Sequence, residues 1–290
     1  MVKASATPMS EPNLLEINEM GTYSVPNRIL VIGCGGTGAY VIGHIARLIS
    51  VLNCEDGYRG QRFELVVADG DKVEQKNLER QHFIGRDLDR NKAEVLAERY
   101  SAAFGIKIMA LPSYLEHFRM ITAHTPTMVI GCVDNDASRR TVNGWFLNQD
   151  SWTGLFWIDS GNEESSGQVI CGYRPPHHPP YDNQKKAFSL PSVAEVYPTV
   201  LDEGTKFNSQ LSCAELAQSA PQNMMTNITA ASLVLNFAQK ILRGKPLSTH
   251  GVLFSIDNSF RTLLNTPDNL SKVDKGRRRR WETKPRSQTL

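Results

Sequence analysis

The sequence predicts an α/β fold, a mostly parallel sheet with helices on both faces and one long crossover loop. Three observations carry this. The strand-like segments are continuous apolar runs rather than alternating ones, as strands buried on both faces require. Segments with helical apolar spacing alternate with them, which is the order of a parallel sheet covered by helices. A cluster of glycines stands where the first strand would turn into the first helix.

In chain order, residues 1–26 are polar, end in Ser24-Val25-Pro26 and read as a flexible lead-in. Residues 28–33 (RILVIG) form a short apolar run ending in glycine, a buried strand, and residues 38–52 (GAYVIGHIARLISVL) have helical spacing. Residues 63–68 (FELVVA) are a second strand ending at Asp69, and residues 91–103 (NKAEVLAERYSAA) an amphipathic helix. Strands follow at 106–111 and 127–133, a helix at 136–148, then strands at 155–160 and 167–173. Between 174 and 220 the pattern collapses, with six prolines between 175 and 198, so this stretch reads as an inserted crossover loop. Loops of that length are usually functional. A long helix near 222–242 and a strand at 251–257 restore regular structure. The expected organisation is one domain over 27–267, with a tail from 268 to 290.

The 290 residues suit one large α/β domain. With 40% hydrophobic and 21% charged residues, a packed core is expected rather than disorder. No apolar run reaches the roughly 18–20 residues of a spanning helix, and the first residues lack the apolar segment of a secretory signal. The five cysteines (34, 54, 132, 171 and 213) include no CxxC and read as reduced, which together with the missing signal predicts a cytoplasmic protein. The net charge of +2 hides an asymmetry: residues 272–290 hold eight Lys/Arg against two acids, leaving the rest at −4. A generally basic nucleic-acid binder is thereby excluded, while a basic arm that could meet phosphates remains.

Gly33, Gly35, Gly36 and Gly38 lie in the string Gly-Cys-Gly-Gly-Thr-Gly at the first strand–helix junction. Glycine there permits a tight turn and lets phosphate oxygens approach the backbone, where N–H groups of the helix start face the anion. In strand–turn–helix context the string points to a nucleotide site and to a Rossmann-like sheet. It does not select NAD. A dinucleotide site expects its ribose-binding acid about 20 residues on, whereas Asp69 lies 31 residues past Gly38.

After the second strand comes Asp69-Gly-Asp71-Lys-Val-Glu-Gln-Lys-Asn77-Leu-Glu-Arg80-Gln81, and Lys92 opens the next helix. The set offers carboxylates for ribose hydroxyls, amides, a guanidinium and an ammonium. Arg and Lys together suit a triphosphate and its leaving pyrophosphate, which a hydride-transfer site does not need. A solvated charged loop is the plainer reading of the same residues. Asp134-Asn135-Asp136 closes a further strand beside Arg139 and Asn143. A carboxylate there can hold Mg²⁺, which takes few protein ligands plus phosphate oxygens, although Asp134 or Asn135 could equally cap the next helix.

Taken in order, Gly33-x-Gly35-Gly36-x-Gly38, Asp69-x-Asp71-x-Val73-x3-Asn77-Leu78-x-Arg80-Gln81, Asn91-Lys92 and Asp134-Asn135-x3-Arg139 resemble the signature of the ThiF/MoeB/HesA superfamily. The resemblance covers about residues 27–171 closely and 213–242 more loosely, and within the superfamily it is nearest to the ThiF-like proteins of PRTRC systems. Such proteins are similar to the adenylation domains of ubiquitin-activating enzymes. The resemblance implies ATP-Mg²⁺-dependent adenylation of the C-terminal carboxylate of a small ubiquitin-like or sulfur-carrier protein ending in glycine, with release of pyrophosphate. By position it implies that Asp69 holds the ribose, that Asn77, Arg80 and Lys92 bind phosphates, and that Asp134 binds Mg²⁺. Asp71, Gln81 and the four glycines complete the nucleotide set. The attacking carboxylate is already ionised, so no general base is required.

The chain also departs from that pattern. Many relatives carry two CxxC pairs around a structural zinc; here only Cys171 and Cys213 fall in that region, and four thiolates are needed, so no such zinc is expected. The neighbouring His177-His178 pair is a poor substitute. Relatives often supply an N-terminal arginine across a dimer, yet residues 1–27 contain none; a homodimer is still expected from the resemblance. Cys213 resembles in position a family cysteine that takes over the activated acyl group, and a thiol near a helix start would be reactive. A buried small apolar role suits it equally, and Cys34 and Cys132 read as packing residues. Two other functions compete with adenylation. One is a non-catalytic nucleotide-binding subunit of a mobile-element system. The other is an NAD-dependent oxidoreductase, which the Gly38–Asp69 spacing and the Arg80/Lys92/Asp134 set oppose. No membrane contact is expected, and nucleic acid only through the tail around Arg277–Arg280 and Trp281.

Overall fold

The structure is a computed structural model that describes residues 25–55, 63–115, 125–147, 153–176, 189–201, 223–257, 259–266 and 270. Strand β1 (Arg28–Ile32) sends Ile29 and Val31 to one core and Leu30 and Ile32 to the other, so its unbroken apolar run is buried on both faces. Helix α1 (Gly36–Cys54) follows the glycine turn directly. Strand β2 (Glu64–Ala68) pairs parallel with β1. Helix α2 (Lys92–Phe104) starts where the Asn91 side chain accepts the Glu94 N–H at 3.1 Å, and stops at Gly105 with φ of 65°. Strands β3 (Ile108–Leu111) and β4 (Thr127–Gly131) join β2 and β1 respectively.

Helix α3 (Asp136–Leu147) is capped by Asn135, whose side chain accepts the Ser138 N–H at 2.8 Å. Strands β5 (Leu155–Asn162) and β6 (Ser166–Arg174) form a hairpin. A short helix α4 (Val193–Val196) and a 3-10 turn (Pro198–Leu201) precede the long helix α5 (Met224–Leu242), and the hairpin β7 (Thr249–Ser255) and β8 (Ser259–Leu264) comes last. The sheet order is β3-β2-β1-β4-β5-β6-β7-β8. The first five strands of that order run parallel, and β6, β7 and β8 are added antiparallel.

Helices α1, α2 and α5 pack on one face of the sheet, and α3 with α4 on the other. On the second face Phe146 meets Trp157 edge-on at 5.7 Å and Arg174 lies 5.0 Å over the Phe146 ring. Each such fully buried large side chain contributes roughly 1.5–3 kcal/mol of transfer free energy.

The expected elements are present with ends moved by a few residues. Two features differ from the sequence reading. Strand β8 was not expected: its first four residues are exposed at a sheet edge, so it lacks the apolar signature of the buried strands. The stretch read as a structureless crossover holds α4 and the 3-10 turn, with Leu190 bridged to Tyr173 and Val193 and Ala194 buried. Cys213, His177-His178, the lead-in through residue 24 and the basic tail lie outside the described residues. Among the described residues no helix is long and apolar enough to cross a membrane.

Candidate active site

The order in which strands are added to the sheet reverses between β1 and β4, which are parallel neighbours. The connections from β1 run outward through β2 and β3, and β4 starts the other half of the sheet. The crevice at the carboxyl ends of such neighbours is where ligands enter open α/β sheets. Here it holds a cavity of about 560 Å³.

The turn after β1 forms its floor. Gly33 has φ of +90°, and a side chain on it would meet the Cys132 carbonyl at 2.5 Å. A side chain on Gly38 would come within 1.8 Å of the Gly33 carbonyl, and one on Gly36 within 2.2 Å of the Asn227 amide nitrogen. These three glycines therefore permit close packing within the protein. Gly35 differs: only Gln81 Nε2, at 3.8 Å, approaches it, so its face is open to the cavity. Gly35 is also the N-cap of α1 and supplies no side-chain cap, nor is there an acidic residue in the first turn. The first N–H groups of that helix, at the positive end of its dipole, are available to an anion.

Asp69 sits beside this floor. Its carboxylate accepts the Cys34 N–H at 2.6 Å and the Asp71 N–H at 2.8 Å. Burial pushes its pKa up to about 6, against the nearby Lys92 ammonium and the two N–H donors, while the Asp71 charge adds to the rise. Lys92 Nζ donates to Asp71 Oδ2 at 3.2 Å, and Tyr114 donates its hydroxyl to Asp71 Oδ1 at 2.7 Å. Burial works against the Lys92 charge, but the Asp69 and Asp71 carboxylates outweigh it and hold its pKa above the ordinary lysine value. Asn91 ties the strand end together through its Nδ2, which donates to the Asp69 and Asp71 carbonyls at 2.9 and 3.1 Å.

Arg80 and Gln81 reach the same cavity from the loop after β2. Arg80 is half-buried and makes no ion pair with a described carboxylate. Asn77 does not line the cavity. It is buried, its Oδ1 accepts the Glu74 N–H at 2.9 Å, and its carbonyl accepts the N–H groups of Arg80 and Gln81. It thus shapes the turn that presents those two residues. Gly38 likewise stays in the packing of the turn, outside the cavity wall.

Asp134 is exposed on the far wall, beyond β4. Asn135 rather than Asp134 caps α3, so the Asp134 carboxylate is not needed for the cap. Arg139 is buried behind it, donating to Asp159 and Asp136 at 3.0 Å each and to the carbonyls of Val133 and Ser160 at 3.0 and 3.3 Å. Burial raises the Asp159 pKa despite that guanidinium. Cys132 also lines the cavity, but burial pushes its thiol up to about 12, and Cys34, buried entirely, is raised too. Neither is a ready nucleophile.

The structure therefore brings Gly33, Gly35, Gly36, Asp69, Asp71, Arg80, Gln81, Lys92 and Asp134 to one cavity, and leaves Asn77 and Gly38 behind its wall. Three further residues on that wall carried no sequence signal as site residues: Tyr114, Asn162 and Asn227. Tyr114 follows β3 at the carboxyl edge of the sheet, where position alone could have drawn attention. Asn227 sits inside an apolar-patterned helix, 190 residues from its Thr37 partner, and only the fold reveals it.

Comparison with solved structures shows the same fold. Escherichia coli MccB aligns at a TM-score of 0.52 and 16% identity over 86% of this chain, and its complex with MccA-N7isoASN at 0.53 and 15% over 83%. PaaA aligns at 0.50 with 13% identity over 82% of this chain and 64% of its own. The chain spans 64% and 66% of the length of the two MccB chains. No curated protein matches the sequence. A family profile, by contrast, matches residues 17–274, nearly the whole chain. The chain belongs to the ThiF family.

Proposed function

We propose that the protein adenylates the C-terminal carboxylate of a small ubiquitin-like or sulfur-carrier protein with ATP, releasing pyrophosphate. One observation carries the reading: a single cavity joins the uncapped start of α1 at Gly35, the carboxylate Asp69, the cations Arg80 and Lys92, and the exposed carboxylate Asp134. MccB has been solved with AMPCPP and MccA together, which supports a nucleotide and a peptide or protein as the two ligands here.

In this reading the helix start and Gly35 N–H hold phosphate oxygens, and Asp69 accepts from ribose hydroxyls. The carrier carboxylate attacks the α-phosphorus. The new O–P bond forms as the bond to the pyrophosphate oxygen breaks, giving acyl-adenylate and pyrophosphate. Arg80 and Lys92 offset the charge that repels the carboxylate and that builds on the leaving group. Among the described residues no group of three His, Cys, Asp or Glu side chains could hold a metal by itself. A lone exposed carboxylate does suit Mg²⁺ carried in on a nucleotide, and Asp134 is the residue that would take it. The ion would supply further charge neutralisation at the phosphates.

ATP–pyrophosphate exchange tests this directly. Exchange that depends on a carrier ending in glycine is the expected result. ATP binding without exchange for any candidate carrier would leave a nucleotide-binding subunit, and tight NAD(H) binding without ATP binding would point to hydride transfer.

A further inference from the structure

The loop between β2 and α2 carries Arg80 and Gln81 to the cavity, and it is held on both sides of that pair. Upstream, the Asn77 carbonyl accepts the Arg80 and Gln81 N–H groups at 3.3 and 2.9 Å. Downstream the chain turns at once: the Phe83 N–H donates to the Gln81 carbonyl at 2.8 Å, and Phe83 enters the core. His82 lies at this turn, exposed on the outer surface. Its ring rests on Tyr40 of α1, with ring centroids 4.1 Å apart, and its Nδ1 stands 3.4 Å from the Tyr100 hydroxyl of α2. Tyr100 in turn sits hard against α1, where a side chain on Gly43 would meet its ring at 2.7 Å.

Arg99 of α2 completes the anchor. Its Nη1 donates to the His82 carbonyl and its Nη2 to Asp87 Oδ2. That same carboxylate oxygen accepts the Ile84 N–H at 2.8 Å, and Asp87 is buried. One guanidinium thus ties two points of one loop, five residues apart, to a helix. Its two terminal nitrogens are held in a fixed fork, whereas a lysine ammonium is a single point charge. An ammonium can serve the Asp87 carboxylate but does not reproduce the fork to the His82 carbonyl.

His82, Asp87 and Arg99 do not line the cavity. Their partners α1 and α2, however, both begin at it, with Gly36 and Lys92 on its wall. The anchor therefore refers Arg80 to the same two helices that place the glycine turn and the Lys92 ammonium. Such fixed placement matters because a charge held in position binds without paying to order its own loop, and small displacements of a positioned group are costly.

Resting on the reading of the cavity as a nucleotide site, we propose that Arg99 and His82 are positioning residues for Arg80. They hold its loop on α1 and α2, so that the Arg80 guanidinium meets the phosphates of a bound nucleotide from a fixed place.

The test is a double-mutant cycle on the full chain, read by calorimetry with AMPCPP. Arg99→Lys keeps a cation beside Asp87 and gives up the fork, and His82→Ala removes an exposed ring. Each is expected to weaken AMPCPP binding about fivefold when Arg80 is present, within the usual coupling of neighbouring side chains, and to have no further effect in Arg80→Ala. A residue that acts through Arg80 has nothing left to act through in that background. A merely structural role predicts equal weakening in both backgrounds. That result, or no weakening when Arg80 is present, overturns the anchor. His82→Ala alters a solvated ring, so the cycle stands on it should Arg99→Lys fail to fold. Carrier-dependent ATP–pyrophosphate exchange separates this proposal from adenylation. Coupling in AMPCPP binding without exchange keeps the anchor and sinks adenylation. Exchange with additive effects keeps adenylation and sinks the anchor, and failure of the unaltered chain to bind AMPCPP overturns both.

Discussion

Arg80 and Arg139 are both arginines on the cavity wall, and their surroundings assign them different work. Arg139 is 8% exposed and held by two carboxylates and two carbonyls, so its charge is already spent inside the protein. Arg139→Met should cost about 3–5 kcal/mol of unfolding free energy in urea titration, because it leaves Asp159 buried without its partner. Arg80 has no described carboxylate against it, and its charge is free for phosphates. Arg80→Ala and Asp134→Ala should each lower ATP–pyrophosphate exchange roughly 10²–10³-fold with the melting temperature unchanged, the usual effect of removing one charge-stabilising group. Full exchange in either variant would remove that residue from the site. Asp69 titrates within reach of experiment. Its folded pKa, about 6, is raised above the ordinary value of 3.8, the reverse of a salt-bridged carboxylate. The folded protein binds this proton more tightly than the unfolded chain, so the stability it contributes is present at low pH and lost as pH rises through about 6. Asp69→Asn should flatten the dependence of unfolding free energy on pH between 4.5 and 7. In the wild type, ATP affinity should fall below pH 6 as the carboxylate loses its charge.

At the scale of the elements, the glycine string was legible as a strand-to-helix turn but not as four different glycines. A string of glycines looks alike in sequence because it reports only the missing Cβ. What would occupy the Cβ position is set by residues far along the chain, by Cys132 behind Gly33 and by Asn227 behind Gly36. The buried strands β1, β2 and β4 could be read directly, since burial on both faces demands a continuous apolar run. Edge strand β8 could not, because its solvated residues carry no such demand. The loop bearing Arg80 and Gln81 was legible from its ordered polar residues. Asn77, expected at the phosphates, turned out to build the turn, since an amide at that spacing satisfies backbone N–H groups as readily as a ligand. The distinction between the glycines can be measured. Gly38→Ala should destabilise the fold by about 1–3 kcal/mol, the cost of forcing a methyl into packed backbone. Gly35→Ala should leave the melting temperature nearly unchanged while weakening ATP binding, because its methyl would enter the cavity rather than the core. Equal effects of the two on stability would mean that Gly35 is packing too.

Across the whole molecule, charge is divided in a way that separates the reaction from the tail. The net +2 combines a mildly acidic body with the strongly basic residues 272–290. Within the body the cations proposed to meet phosphates are local: Arg80 and Lys92 line the cavity, and Asp69 and Asp71 offset only Lys92 directly. The family profile ends at residue 274, before the run Arg277–Arg280 and Trp281. Electrostatic influence between charges in water falls off over about 8–10 Å at physiological salt, so the tail can assist the reaction only by reaching the cavity or a partner. Its composition instead matches contact with polyanions, which would show as steeply salt-dependent binding. Deleting residues 271–290 should therefore leave ATP affinity and carrier-dependent exchange within about twofold, the size of change expected from surface substitutions away from a site. The same deletion should abolish retention on heparin at 150 mM salt, roughly the ionic strength at which only multi-charge contacts persist. A large fall in exchange would place the tail in the reaction, with the carrier or the triphosphate itself as its target.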